Sequence, residues 1–557
     1  GVRNAGPRAT IMGIAPRAYL GSYKVFPDGQ DGAPNSAILK AIDDAVADGM
    51  DVINLSLGAF PAERLDSDPL VTAVENASRA GVIVVIAAGN DGPGLNTIGS
   101  PGTAPSAISV GSSANDRVFA SSAWLEGLSP FLALPGDGPR SVNLIRGQLS
   151  DVSALDPTGL ACGTLPEGSL SGKIVLILRG TCFFEEKLNN VSRAGAIGAV
   201  IYTDAERETV TMSTNGVSLP AVMITYADGL KARERLQSGA AEVVVDFSQN
   251  AVPSDATHLP DFTSKGPSVD NRLKPELLAI GTSVYTASPS SSYALMQGTS
   301  FSAPMVAGAA ALLKAYRPGL SVEQYKSLLM NSTAQFTAGL QETGAGLLDI
   351  GASVRSTVTA IPSALEFGVG GSTVDVSRSF VLRNLGGTSE TYSISAAPLS
   401  DGSVPKITPD VVQLGPGSSA DIVVRLNEAN LPARSHEGFL TIRGAQAGNT
   451  TRLPYWYAAT DGKAKSINII EAPEEGRRAS TQNFYVRVLD SAGVPLPNEP
   501  KVTVISGLGA SVTSVESVEF RYPGFYQVRV RLSSEPGENA FEIDGGGTTT
   551  RVTISGS

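Results

Sequence analysis

Histidine and cysteine are scarce in this sequence: each occurs only twice among 557 residues. Two cysteines, Cys162 and Cys182, are too few for a disulfide-dense framework. With only His258 and His436 as imidazoles, and no clustered Asp/Asn loop, no set with metal-ligand spacing appears, so neither a metal nor another cofactor is expected. Runs of Lys or Arg are missing too. The net charge is −11 and the sequence pI is near 5.0, which makes nucleic acid and anionic membrane poor partners. No apolar stretch approaches the ~20 residues needed to span a bilayer. The best candidate, Ala307 to Leu313, is short and Ala-rich and reads as a buried helix. The chain opens at Gly1 without an initiator Met or a charged-then-apolar leader, and its opening reads like the middle of a protein, so a fragment or processed product is expected.

Hydrophobic residues make up 42% and charged residues 17%, the balance of a globular protein. The 60 glycines and 35 prolines follow no collagen-like period and point to many tight turns. At roughly one domain per ~150 residues, the length predicts three or four domains.

The first part of the chain alternates strand and helix. Tyr19 to Phe26 reads as a strand; Asn35 and Ser36 offer N-caps for a helix with the stripe Ile38, Ile42 and Val46, closed at Gly49. Asp51 to Leu57 is a near-continuous apolar run, as a strand buried on both faces should be. A helix carrying Leu70, Val71, Val74 and Ala77 ends at Gly81, and Val82 to Ala88 is another buried strand. This spacing predicts parallel strands with right-handed crossovers, a doubly wound α/β core. The pattern stops and resumes near residue 255 with DFTSKGP, then with helices from Ser300 and from Ser321 to Met330. Between them, strands at Lys173 to Arg179, Ala199 to Tyr202 and Ala221 to Thr225 flank a helix, as in an inserted domain. Beyond Gly351, short alternating runs separated by Gly, Pro and Asn predict two β-sandwiches. The expected domains are 1–124 with 251–352, an insertion at 125–250, and sandwiches at 353–461 and 462–557.

The chemistry concentrates in GTSFSAPMVAGAAALL, residues 298 to 313. Ser300 at the start of a helix would have its own backbone N–H and the positive helix end facing an oxyanion. Ser302 and Ala303 are small enough to let backbone approach substrate. Serine is also an ordinary N-cap, and GTS alone leaves both readings open. AAGNDGP, residues 87 to 93, places Asn90 at the C-terminal end of a buried strand, where open α/β sheets bind ligands. Its amide can donate a second hydrogen bond to the oxyanion; the bland alternative is a turn Asn facing solvent.

The ordered set INLSLG (53 to 58), AAGN (87 to 90), TIGSPGTAPSAISVGS (97 to 112), FTSKGP (262 to 267) and GTSFSAP (298 to 304) resembles the catalytic domain of the subtilisin-like proteases, the subtilases. The resemblance runs from residue 1 to about 352 apart from the insertion. It implies a subtilisin-like doubly wound parallel sheet, incomplete at its N-terminus, and a secreted endopeptidase acting on proteins or peptides through an acyl-enzyme on Ser300, with Asn90 in the oxyanion hole. By the same resemblance Ser56, Leu57 and Gly58 form the edge that pairs with extended substrate. Ala87, Ala88, Gly89 and Gly99 wall and floor the specificity pocket. A glycine floor implies large apolar residues before the scissile bond, with Asp91 at the rim adding tolerance for basic ones. Gly29 to Ala33 is a weaker candidate for the opposite edge, Pro101 matches the family's cis proline, and Met305 replaces a common non-catalytic His.

The family's catalytic Asp and His precede all these motifs, and the chain begins just after that point. His258, in a polar linker, and His436, in a sandwich, both read as surface residues and poor substitutes. The fragment alone is therefore expected to be inactive, with an incomplete core and a loose opening at residues 1 to 15. A non-catalytic adhesion or scaffold protein on a degenerate protease fold is the alternative. ACGTLPEGSLSGKIVLILRGTCFFEEK followed by AGAIGAVIY resembles a protease-associated (PA) domain, in which cysteines matching Cys162 and Cys182 often pair. The two sandwiches resemble fibronectin-III-like and Ig-like modules, with a spacer role expected. Structural calcium, common in subtilases, is left open.

Overall fold

The computed structural model describes residues 3–6, 8–28, 32–141, 144–205, 207, 209–214, 216–288, 292–399, 403–445 and 450–557. Two compact units emerge, a larger one built on residues 11–113 and 257–557 and a smaller one on 114–256.

The larger unit is organised by a parallel four-stranded sheet. Its strands are β1 (Val52–Leu55), β2 (Ile83–Ala87), β3 (Ile108–Ser113) and β4 (Leu277–Ile280), in the spatial order β4-β3-β2-β1. Registers run Val52 to Ile83, Val85 to Ile108 and Val110 to Leu277. Every residue of β2 and β3 is buried, because helices cover both faces. On one face lie α1 (Asn35–Ala47) and α2 (Pro69–Arg79), which pack Ile38, Ile42, Leu70, Val71 and Val74 against Val84 and Ile86. On the other lie α3 (Thr299–Tyr316) and α4 (Val322–Asn331), whose Val306, Ala310, Leu313 and Leu328 meet Ile83, Val85 and Val110. Asp68 caps α2 by accepting from Leu70 N at 2.9 Å, and Ser321 with Gln324 forms a capping box on α4.

Tyr19 to Phe26 is not a strand. A strand needs a hydrogen-bonded neighbour, and these residues have none among the described residues; Tyr19 is fully exposed, while Tyr23 and Val25 fold onto the α1/α2 cluster and the Tyr23 hydroxyl donates to Asp48 at 2.7 Å. Of the segment proposed as an opposite substrate edge, Gly29, Gln30 and Asp31 lie outside the described residues.

Two sandwiches complete this unit. The first pairs a four-stranded with a five-stranded sheet around Phe380, Leu382, Tyr392, Ile422, Leu440 and Tyr455. The second pairs two four-stranded sheets around Phe484, Val486, Val528, Phe541 and Ile554. His436 is buried rather than at the surface. It lies in the strand Arg434–Gly444 in phase with the core residues Leu440 and Ile442, and its Nε2 meets the carbonyl of Pro432 at 2.9 Å.

The smaller unit is a closed barrel that includes Arg117–Leu125, Glu242–Pro253, Ile145–Asp151, Ile174–Leu178 and Gly198–Tyr202, with helices Phe184–Arg193 and Tyr226–Gln237. The sulfurs of Cys162 and Cys182 are joined as a disulfide, their Cα atoms 5.9 Å apart. Among the described residues, no helix is long and apolar enough to cross a membrane.

Candidate active site

The C-terminal ends of β1 and β2 and the N-terminal end of α3 converge on one place, and each chain segment there has a physical reason for its shape. Gly298 precedes α3 with φ 130°, a conformation that L side chains rarely adopt. It delivers Thr299 into a buried position and leaves Ser300 half-buried in the first turn. Pro304, four residues on, has no N–H to give the Ser300 carbonyl. That carbonyl is satisfied instead by the Ser56 hydroxyl at 2.7 Å, and the Ser300 hydroxyl donates back to the Ser56 carbonyl at 3.4 Å. The Ser56 hydroxyl is itself held by the Asn54 amide at 3.0 Å. A carbonyl freed from the helix ladder thus ties the serine to the end of β1.

Asn90 follows β2. Its Oδ1 accepts from both the backbone N–H and the hydroxyl of Thr299, each at 3.0 Å. A backbone N–H can only donate, so the oxygen of the amide is identified by its partner and Nδ2 points elsewhere. The Thr299 hydroxyl also lies 3.2 Å from the Gly89 carbonyl. A Cβ built on Gly298 would stand 3.5 Å from Asn90 Nδ2 and 3.8 Å from the Ser300 backbone nitrogen. The space over Gly298 is thus bordered by the Asn90 amide, whose Oδ1 would lie 3.6 Å from the same Cβ, and by the Ser300 backbone nitrogen.

The neighbouring walls are backbone. Ala88 N donates to the Val110 carbonyl and Gly99 N to the Ala88 carbonyl, both at 3.0 Å. Ala59 and Ser100 exchange N–H···O bonds of 2.9 Å, which lays the segment after Gly58 across the segment after Gly99. A Cβ on Gly99 would meet the Ala59 carbonyl at 3.0 Å, a tight contact that glycine avoids where the two segments approach. The Ser100–Pro101 peptide is cis. Ser56 and Leu57 are half-buried and Gly58 is exposed, an edge open to solvent. Asp91 is exposed at the rim, its N–H bonded to the Ser264 hydroxyl at 3.1 Å; burial of its inner side pushes its carboxyl above the usual range.

Ser302 and Ala303 do something other than admit substrate. Both are fully buried: the Ser302 hydroxyl meets the Ser112 hydroxyl at 2.9 Å and Ala303 packs into the sheet cluster. Their smallness lets α3 sit close on β3, not the backbone on a ligand. Neither histidine joins the site: His436 lies in the first sandwich and His258 is exposed in the linker after the smaller unit. Thr299 and Pro304 do not stand out in the sequence, although both sit inside the GTSFSAP motif.

A sequence profile of the subtilase family matches residues 2–347. The chain belongs to the subtilase family. It is similar to the minor extracellular protease Vpr of Bacillus subtilis, 28% identical over 85% of this chain and 58% of that protein. It is also similar to the CO(2)-response secreted protease of Arabidopsis thaliana, 31% identical over 64% of this chain and 50% of that protein. The chain thus spans little more than half the length of these relatives. Among solved structures it resembles the psychrophilic subtilisin-like protease Apa1 of an Antarctic Pseudoalteromonas, with a TM-score of 0.32 and 18% identity, covering 59% of this chain and 76% of that one. Both relatives are named as proteases, one extracellular and one secreted. As a subtilase, the chain has a subtilisin-like α/β fold with β-rich regions added to it.

Proposed function

We propose that this chain carries the nucleophile, the oxyanion hole and the substrate cleft of a secreted serine endopeptidase. The observation that supports it most is the amide of Asn90, whose Oδ1 accepts from Thr299 and whose Nδ2 borders the same space over Gly298 as the Ser300 backbone nitrogen. In this reading the Ser300 hydroxyl oxygen bonds to the scissile carbonyl carbon, and the C=O electron pair becomes an oxyanion held by Asn90 Nδ2 and Ser300 N–H. Collapse of that adduct expels the amine with a proton and leaves the acyl-enzyme, which water hydrolyses. Extended substrate adds a strand at Ser56, Leu57 and Gly58, and the residue before the scissile bond enters the space bounded by Ala87, Ala88, Gly89 and Gly99. Large apolar residues suit it, with Asp91 at the rim for basic ones.

The step needs a general base for the serine proton, and His258 and His436 do not serve. With neither histidine at the site, these 557 residues alone are expected to be inactive. Secretion rests on the names of the relatives. A fluorophosphonate probe applied to the full-length protein should modify Ser300 and leave a Ser300→Ala variant unlabelled. Equal labelling of the two would remove the nucleophile assignment. Absence of labelling and of peptide cleavage in both would favour the scaffold reading.

A further inference from the structure

The second sandwich reaches the substrate cleft through one buried cation. Arg487, in the strand Thr481–Leu489, is only 2% exposed. Its Cζ lies 4.2 Å from the ring centroid of Phe525 in the neighbouring strand and 5.5 Å from that of Phe60. One guanidinium nitrogen donates to the backbone carbonyl of Asn96, and Nε has no hydrogen-bond partner among the described residues. Among the described residues no carboxylate pairs with it. Burial pushes the guanidinium down to about 9. An unpaired buried arginine is costly, and an apolar side chain of similar volume would fill the space at less expense. At this position the arginine does what an apolar side chain cannot: it donates to a backbone carbonyl from between two rings.

What it touches supplies the reason. Phe60 directly follows Ala59, the residue that locks onto Ser100 and fixes the edge segment Ser56 to Gly58. Asn96 lies between Asn90 and Gly99, nearer the latter, in a left-handed conformation with φ 58°. The same loop is held at further points by the second sandwich: Asn468 Nδ2 donates to the Leu95 carbonyl at 3.0 Å, and Asn96 Nδ2 donates to the Gly493 carbonyl at 3.2 Å. A Cβ on Gly493 would come within 2.9 Å of Leu95 Cβ, so glycine is required for the loop to seat.

We propose that Arg487 is a positioning residue for the substrate pocket: through Phe60 and Asn96 it fixes, from the C-terminal sandwich, the two segments that form the pocket's edge and floor. This rests on the protease reading above, and it replaces the expected spacer role of that sandwich. Because Arg487 contacts pocket segments rather than Ser300 or Asn90, it acts on which side chain is accepted before the scissile bond and not on the nucleophile.

The test compares peptides differing only in that residue, Phe, Leu or Ala, with the full-length protein. Arg487→Met should lower kcat/KM for Phe and Leu about tenfold through a raised KM, the scale of a small misplacement in a pocket, and alter Ala substrates by less than about twofold. Arg487→Lys, which keeps a cation between the rings, should recover part of the loss, and fluorophosphonate labelling of Ser300 should keep its rate. An unchanged preference overturns the proposal. So does an equal fall for all peptides together with labelling, which would mark a role in folding alone. Should Arg487→Met not fold, Asn468→Ala frees the Leu95 carbonyl of the same loop and is measured on the same peptides. A selective loss for Phe and Leu then supports the proposal, and an unchanged preference overturns it. Failure of Ser300 to label in the unaltered protein would instead count against the nucleophile assignment.

Discussion

Thr299 holds Asn90 by two hydrogen bonds to a single oxygen, one from its backbone and one from its hydroxyl, each 3.0 Å long. The backbone bond survives substitution by valine, but the hydroxyl bond does not. Thr299→Val keeps the shape and buries a methyl beside the Gly89 carbonyl, which loses its 3.2 Å contact. The amide of Asn90 then has one tether instead of two and samples orientations useless to an oxyanion. In the full-length protein kcat should fall about tenfold with KM nearly unchanged, since an oxyanion contact is made chiefly in the transition state. Asn90→Ala should cost roughly 10²–10³-fold, the scale known for this donor in a protease of the same family. Steady-state kinetics on one peptide decides it: a Thr299→Val enzyme with unaltered kcat would mean that the backbone bond alone orients Asn90.

Gly298→Ala tests the same space from the other side. The new methyl would stand 3.5 Å from Asn90 Nδ2, in the space proposed for the oxyanion, on a backbone with φ 130°. Strain at such a position costs about 1–3 kcal/mol. The expected result is a fall in kcat of at least about 10²-fold with a modest drop in Tm. Fluorophosphonate labelling should slow in parallel, because its phosphoryl oxygen uses the same two donors. Labelling at the normal rate would place the oxyanion elsewhere.

Much of this architecture is legible in the sequence alone. The stripes Ile38–Ile42 and Leu70–Val71–Val74 predict helices that do bury those residues, because a 3.6-residue period leaves one face to hide. Ser300 and Asn90 stand out because their motifs sit at strand and helix ends, where α/β sheets bind ligands. The Asn90–Thr299 bond is not legible, since its partners are 209 residues apart in sequence. Tyr19 to Phe26 has the apolar content of a strand, but strand formation depends on a neighbour that pattern does not supply. The burial of His436 is there to be found, because it is in phase with Leu440 and Ile442. That of Arg487 is not: it alternates with the core residues Val486 and Val488, on the face that reads as solvent until Phe60 covers it.

A buried ionic cluster behind the pocket makes a stability prediction. Glu276 Oε1 lies 2.6 Å from Lys274 Nζ and 2.7 Å from Lys326 Nζ, while Oε2 accepts from Ser109 N in β3 at 2.7 Å. The two ammonium groups also hold the carbonyls of Ala104, Pro105 and Ala107, the chain between the pocket floor and β3. Burial pushes Lys274 down to about 8 even with its partner present. Glu276→Gln leaves two buried cations facing a neutral amide and should destabilise by about 3–5 kcal/mol near neutral pH. Lys326→Met in the Glu276→Gln background should restore part of it. Urea unfolding measures both, and a loss below about 1 kcal/mol would mean that water already reaches the cluster.

Glu437 predicts the sign of a pH dependence. Its Oε1 accepts from Leu340 N at 3.1 Å, but Oε2 is buried without a partner among the described residues. Burial, with the nearby Glu342 adding repulsion, pushes the carboxyl up to about 7 from an ordinary 4.5. A folded-state pKa above the unfolded one means that the folded protein holds this proton more tightly. The contribution to stability is therefore fully present below about pH 4.5 and is lost as pH rises through about 7. A gap of this size corresponds to about 3 kcal/mol. Glu437→Gln keeps the acceptor for Leu340 and removes the titration, so it should raise Tm at about pH 8 and do little at about pH 4.5. Thermal melts of both proteins across that range check the difference between them, which cancels the titrations they share. A variant less stable than the parent at the alkaline end would mean that the charged carboxylate is a net stabilising partner at this junction, and that burial does not raise its pKa.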